Sequence, residues 1–222
     1  MSEAIEPKYR QRVAYQAMLL GGFTALASIF LVSSNLATRD AIALRQQEDL
    51  LASINQVVPA HYYDNDLLDS PINITITPDE IVTVYRGLKN SKVSAVAYEI
   101  SEPGYSGDIK LIIGLDASGN ILGTRVLSHT ETPGLGDKIE EKKDDWILGF
   151  NGLSISNPTA SRWKVKKDGG QFDAFSGATI TPRAVVKAIK KGLDFFKSQQ
   201  AVLLEPPKLE PKLLPEAPPN GK

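Results

Sequence analysis

The segment Asp173-Ala174-Phe175-Ser176-Gly177-Ala178-Thr179, which runs directly into Ile180-Thr181-Pro182, holds the residue types best suited to chemistry in this chain. Small side chains at Ser176, Gly177 and Ala178 let a ligand come close to the backbone. A helix starting just after them would present first-turn amides and the positive end of its dipole to an anion. A phosphate group would suit that corner. Taken alone, such a segment is more often a helix cap and a tight turn.

Other signatures of catalysis fail in turn. The chain contains no G-x-S-x-G elbow, no H-E-x-x-H and no P-loop, its Gly-Lys pair being Gly221-Lys222. Gly134-Leu135-Gly136 begins like a dinucleotide fingerprint, but Ile139 stands where the third glycine belongs. Glu140-Glu141 and Asp144-Asp145 sit beside lysines and read as solvated charges, not as an acid/base couple. No catalytic residue and no metal site is assigned. Without cysteine, and with His61 and His129 as the two histidines, thiolate zinc, iron–sulfur and multi-histidine centres lack their ligands. Cysteine usage leaves the redox compartment open. The 25 Lys+Arg against 26 Asp+Glu give a formal net charge of -1, with no drive toward nucleic acid.

Hydropathy sets where these residues stand. Val13 to Thr38 is uncharged and, as a helix at about 1.5 Å per residue, is long enough for a hydrocarbon core of about 30 Å. Lys8, Arg10 and Arg12 precede it, which predicts a cytoplasmic N-terminus and an exported remainder. A cleaved signal peptide ending near Ala41-Ile42-Ala43 is the rival reading, and it exports the remainder too. From Asp40 to Val58, apolar residues recur at three- and four-residue steps until Pro59, the pattern of an amphipathic helix.

Beyond Tyr63 the period becomes two. Strands are expected at Ile72–Thr77, Ile81–Tyr85, Val93–Ile100, Ile109–Leu115 and Ile121–Leu127, the last two joined by a turn at Asp116–Asn120. Lys138–Phe150 reads as a short helix. A final helix, with Thr181 as N-cap and Pro182 as its first residue, carries the apolar stripe Val185, Val186, Ile189, Leu193, Phe196, with Lys187, Lys190, Lys191 and Lys197 on solvated positions. Six prolines between Glu205 and Lys222 predict a disordered tail. The predicted organisation is α+β: a cytoplasmic N-terminus at 1–12, a transmembrane helix at 13–38, an amphipathic linking helix at 39–60, a mainly antiparallel sheet with flanking helices at 61–200 and a Pro-rich tail at 201–222.

The segment at 173–179 resembles the D-x-x-S-G-A-T flavinylation motif of membrane redox subunits, in which a flavin transferase attaches FMN to the final threonine, here Thr179. His129-Thr130-Glu131-Thr132-Pro133-Gly134-Leu135-Gly136-Asp137 resembles the E-T-P-G-L-G signature of the same FMN-binding domain. Gly104-Tyr105-Ser106-Gly107-Asp108-Ile109 and Tyr63-Asp64-Asn65 are weaker matches. Together they resemble the family of G subunits of the Rnf (Rsx) ion-translocating electron transport complexes. The C subunit of the sodium-translocating NADH:quinone reductase shares the anchor and the attachment motif and is the alternative within redox chemistry. An anchored non-redox scaffold or binding module, with Thr179 only at a helix cap, is the alternative from another class.

The resemblance implies a covalent FMN, joined by a phosphodiester to Thr179, which makes the chain a flavoprotein and a phosphoprotein. Ser176, Gly177 and Ala178 would surround the linkage, and the loop with Glu131, Thr132 and Leu135 would pack against the isoalloxazine. Phe175 would touch the ring or fill the core. Asp173 would serve recognition by the transferase, directly or through a metal. The implied role is electron transport in a translocase of the bacterial inner membrane, between ferredoxin and NAD and coupled to ion movement. The chain would be single-pass with a periplasmic main domain, and not a catalyst by itself. Its partners would be the other members of the complex and, during maturation, the transferase.

Overall fold

The computed structural model describes residues 13–69, 71–77 and 80–206. They form two compact units, divided between Leu50 and Leu51. In the first unit, helix α1 (Val13–Val57) begins, and its apolar residues, among them Leu20, Phe23, Leu26 and Phe30, are exposed to the surroundings. Helix α1 is long and apolar enough to cross a membrane. The segments expected as helices at 13–38 and 39–60 form one unbroken α-helix as far as Val57. No glycine or proline lies between Gly22 and Pro59 to interrupt the hydrogen-bond ladder, and Arg39-Asp40 fits within it. Pro59 follows the helix end.

The second unit is built on a five-stranded antiparallel meander in the order β1 (Ile72–Thr77), β2 (Glu80–Lys89), β3 (Lys92–Pro103), β4 (Asp108–Asp116) and β5 (Ile121–Ser128). All five expected strands are present, each reaching to or past its predicted limits. The β2–β3 hairpin closes on Asn90 and Ser91, both at positive φ, as a two-residue turn matched to strand twist requires. Alternation assigns the faces. Val96 and Tyr98 of β3 and Ile109, Leu111, Ile113 and Leu115 of β4 enter one core with helix α2 (Ile180–Leu203). The Tyr98 hydroxyl donates to the Gly192 carbonyl at 2.8 Å, and burial pushes its pKa up.

The other face carries Ala95, Ala97, Gly114 and Gly123, which leave room for the end of α1. Gly114 and Gly123 pair across β4 and β5, and a Cβ on either would come within 2.8 Å of Val57 backbone atoms. Ile54, Val57 and Val58 are buried in this unit. The Tyr63-Asp64-Asn65 match clasps the β2–β3 hairpin instead of joining a site. Asp64 accepts from the Asn90 amide at 3.0 Å, and Asn65 accepts from the Leu88 amide at 2.7 Å while donating to the Arg86 carbonyl at 3.1 Å.

Three boundaries differ from expectation. Residues 138–150 form two 3-10 turns, Asp137–Ile139 and Asp145–Phe150, where one helix was expected. Ile139, Ile147 and Phe150 are all fully buried, and the Asp144 carboxylate caps the second turn by accepting from the Trp146 amide at 2.9 Å. Glu140 and Glu141 are also partnered, with His129 and Arg125 at 2.9 and 2.6 Å, so they are not merely solvated. Helix α2 starts one residue before Thr181 and runs to Leu203, which is buried, so the first residues assigned to the tail are helical. The remainder of the expected tail, 207–222, and the N-terminal segment 1–12 lie outside the described residues.

Candidate functional site

Phe175 to Ala178 form a β-turn in which the Ala178 amide donates to the Phe175 carbonyl at 3.2 Å and Gly177 stands at φ +81°. That conformation at the third turn position favours glycine. Trp146 Nε1 donates to the Asp173 carbonyl at 3.1 Å, and the Trp146 and Phe175 rings meet edge to face at 5.1 Å. Phe175 is therefore packed in the core. The Asp173 side chain points the other way, largely exposed, and pairs with Lys166 Nζ at 2.7 Å.

Thr179, not Thr181, is the N-cap residue of α2. Its φ of -77° and ψ of -27° are helical, and its hydroxyl makes no capping hydrogen bond. An N-cap side chain ordinarily accepts from the second or third helical amide, and here the third helical residue is Pro182, which has none. The amide of the second helical residue, Thr181, is not bonded by Thr179 either, so the Thr179 hydroxyl does not carry the capping duty usual at its position, and it accepts from Lys167 Nζ at 3.0 Å.

The Glu131 loop closes on the start of α2. Glu131 is a buried carboxylate, 4 % exposed, held by three donors. The amides of Tyr105 and Ser106 reach Oε1 at 2.8 and 3.1 Å, and the Thr181 hydroxyl donates to Oε2. Its own amide donates to His129 Nδ1 at 3.0 Å, which fixes the ring proton on Nε2, facing Glu140. Farther along the loop, Asp137 Oδ1 accepts from the Gly134 amide at 2.8 Å. One side chain, Glu131, thereby ties the β3–β4 turn, this loop and α2 together.

Between these pieces lies a cavity of about 340 Å³. Glu131, Thr132, Leu135, Gly177, Ala178 and Thr179 line it, with Tyr105, Gly136, Ile180 and Thr181. Tyr105, Leu135 and Ile180 are exposed and form an apolar rim. Asp173, Phe175 and Ser176 do not line it. Tyr105 stood only in a weak match, and Thr181 was read as a cap. Among the described residues no group of three or more potential metal ligands occurs.

A turn between Val165 and Gly170 braces the motif from outside. Its successive side chains Lys166, Lys167 and Asp168 reach Asp173, Thr179 and Arg183. The Asp168–Arg183 pair is bidentate, at 2.5 and 2.7 Å. Hydrogen bonds from Arg183 hold the Asp168 carboxyl below the ordinary carboxylate range, opposed in part by burial and helped by the charges of Arg183 and Lys164. A lowered carboxylate pKa favours the docked state above the ordinary range, and this contribution is lost as pH falls through the lowered value. NMR titration is expected to show Asp168 ionising below its free value, and the protection of the 166–169 amides relative to their intrinsic exchange rates should fall below that point. Asp168→Asn should remove the pH dependence.

An antiparallel sheet with one long helix across its face, and a cavity at that helix's N-terminal end, is the architecture here of an FMN-binding domain, and the FMN-binding domain family matches residues 104–194. That span contains both long motifs. The G subunit of the ion-translocating oxidoreductase complex of Cereibacter sphaeroides is 50% identical over 189 residues, covering 85% of this chain and 86% of that one. The protein of the same name from Stutzerimonas stutzeri is 46% identical over 191 residues, covering 86% and 84%. The crystal structure of Shewanella oneidensis NqrC aligns with a TM-score of 0.45 at 23% identity, over 68% of this chain and 73% of that one. The chain belongs to the family of G subunits of ion-translocating oxidoreductase complexes.

Proposed function

We propose that this protein carries electrons on an FMN joined to Thr179 by a phosphodiester, within a membrane complex that couples electron transfer between ferredoxin and NAD to ion translocation. The observation behind this reading is the Thr179 hydroxyl, unused as a cap, on the wall of a cavity shared with Glu131, Thr132 and Leu135. The residues fit the group. A volume of about 340 Å³ is in the range of small-molecule sites, and the rim of Tyr105, Leu135 and Ile180 offers apolar contact to an aromatic ring. When bound, a flavin supplies one-electron chemistry, while the protein sets position, solvent access and potential.

In maturation the Thr179 oxygen would bond to the phosphorus of the FMN half of FAD, the pyrophosphate bond would break with AMP leaving, and the hydroxyl proton would pass to a base of the transferase. Thr179 is the acceptor in this step and not a catalyst. Leu135, Tyr105 and Ile180 would hold the ring by apolar contact, with Thr132 and Glu131 on the same cavity wall. The anchor would hold the domain at the periplasmic side of the inner membrane.

The test is the full chain made with and without an active flavin transferase and run on a denaturing gel. Yellow fluorescence that survives denaturation, together with a flavin-bearing peptide at 173–181, is the expected result. A colourless chain from cells with the transferase would sink the reading and favour a non-redox scaffold. Asp173→Asn tests the recognition role: its exposed carboxylate supports no core contact, so attachment should fail while thermal unfolding stays within about 0.5 kcal/mol of wild type.

A further inference from the structure

We infer that Lys167 is the counter-cation of the Thr179 linkage, positioning the acceptor oxygen before attachment and neutralising the phosphodiester after it. This rests on the proposed attachment at Thr179 and adds a residue outside both motifs. The Lys167 ammonium donates to Thr179 Oγ1 at 3.0 Å, so it stands beside the oxygen that would bond to phosphorus, two covalent bonds from the anionic phosphate oxygens. A diester carries about one negative charge at neutral pH, and an ammonium at this distance is the complementary partner.

The neighbouring side chains are committed elsewhere. Lys166 pairs with Asp173 at 2.7 Å, and Asp168 pairs with Arg183. The turn itself is held in place. Gly170 lies so close to the Lys164 backbone that a Cβ there would overlap it, and the Gly170 amide donates to the Val165 carbonyl at 3.0 Å. The Asp168–Arg183 fork fixes the same turn to the first turn of α2. Lys167 is thus presented to Thr179 by a braced scaffold, although its side chain is exposed. In the unmodified chain its partner is a neutral hydroxyl, and among the described residues no carboxylate forms an ion pair with it.

The experiment compares full-length chain prepared with and without transferase, labelling lysines with acetic anhydride and mapping the peptides by mass. Lys167 should label about fivefold more slowly in the loaded chain, the scale of a partly exposed ion pair, while Lys166 changes little. Thr179→Ala made with the transferase should restore the unloaded rate. Lys167→Gln should slow loading by about fivefold and Lys167→Arg should retain it. Equal labelling of Lys167 in chains shown by mass to be loaded, or unimpaired loading of Lys167→Gln, would overturn the assignment alone. A Thr179 that carries no flavin would overturn the attachment reading as well, and intact mass separates the two failures.

Discussion

Thr179→Val, made beside an active transferase, is expected to carry no covalent flavin and to unfold within about 0.5 kcal/mol of wild type. Valine keeps the shape of threonine and replaces only the hydroxyl, by a methyl group. In most N-caps that loss would cost about 1 kcal/mol, because the hydroxyl holds an end amide of the helix. Here Thr179 makes no such bond, and its partner Lys167 is exposed and can turn to water. Stability and loading should therefore separate completely. Thr179→Ser retains a nucleophilic oxygen and should still accept flavin. Intact mass and in-gel fluorescence read the loading, and thermal unfolding reads the fold. Persistence of a denaturation-resistant flavin on the valine variant would move the attachment to another residue and leave the freed hydroxyl without a purpose.

The parts of this architecture that were legible in the sequence are those written as local periodicity. Alternation in Ile72–Thr77 marks a strand, the apolar run Ile109–Leu115 marks one buried on both faces from Leu111 onward, and the stripe Val185, Val186, Ile189, Leu193 marks α2, because each pattern follows from the geometry of its own element. What failed depended on distant contacts. Thr181 looks like a cap beside Pro182, yet its hydroxyl is drawn to Glu131, 50 residues away, and the helix begins upstream. Residues 138–150 have the composition of a helix, but burial of Ile139, Ile147 and Phe150 and the pairing of Glu140 and Glu141 pull the chain into separate turns.

The site divides in the same way. Thr179, Glu131, Thr132 and Leu135 could be named from the two motifs, and the fold brings them to one cavity. Lys167 has no signal of its own, since a lysine in a turn is ordinarily solvated, and only the folding of Val165–Gly170 against α2 gives it a partner. Phe175 kept two readings because an aromatic residue suits a ring contact and a core equally. Its edge-to-face contact with Trp146 decides for the core.

Glu131→Ala is expected to lower stability by about 3 kcal/mol and to impair flavin loading, because three donors lose their acceptor, one of them, the Thr181 hydroxyl, fully buried and two partly so. On a domain of this size that is a fall in Tm of about 6–12 °C. Glu131→Gln should be far milder, near 1 kcal/mol: its oxygen can still accept from Tyr105 and Ser106, while its amide group forces the Thr181 hydroxyl to change from donor to acceptor. Gly104→Ala reaches the same carboxylate from the other side. Its Cβ would meet Ile109 at 2.8 Å and overlap Glu131 Oε1, so the side chain must leave the Tyr105 and Ser106 amides, and a loss of about 1–3 kcal/mol should follow. The order Ala, then Gly104→Ala, then Gln distinguishes a clasp from a ligand contact. Were Glu131 only a flavin contact, all three unloaded chains would melt with the wild type, and differences would appear solely after flavin is attached. A clasp shifts the unloaded chain first, and loading suffers because Thr132, Leu135 and Thr181 no longer share one wall.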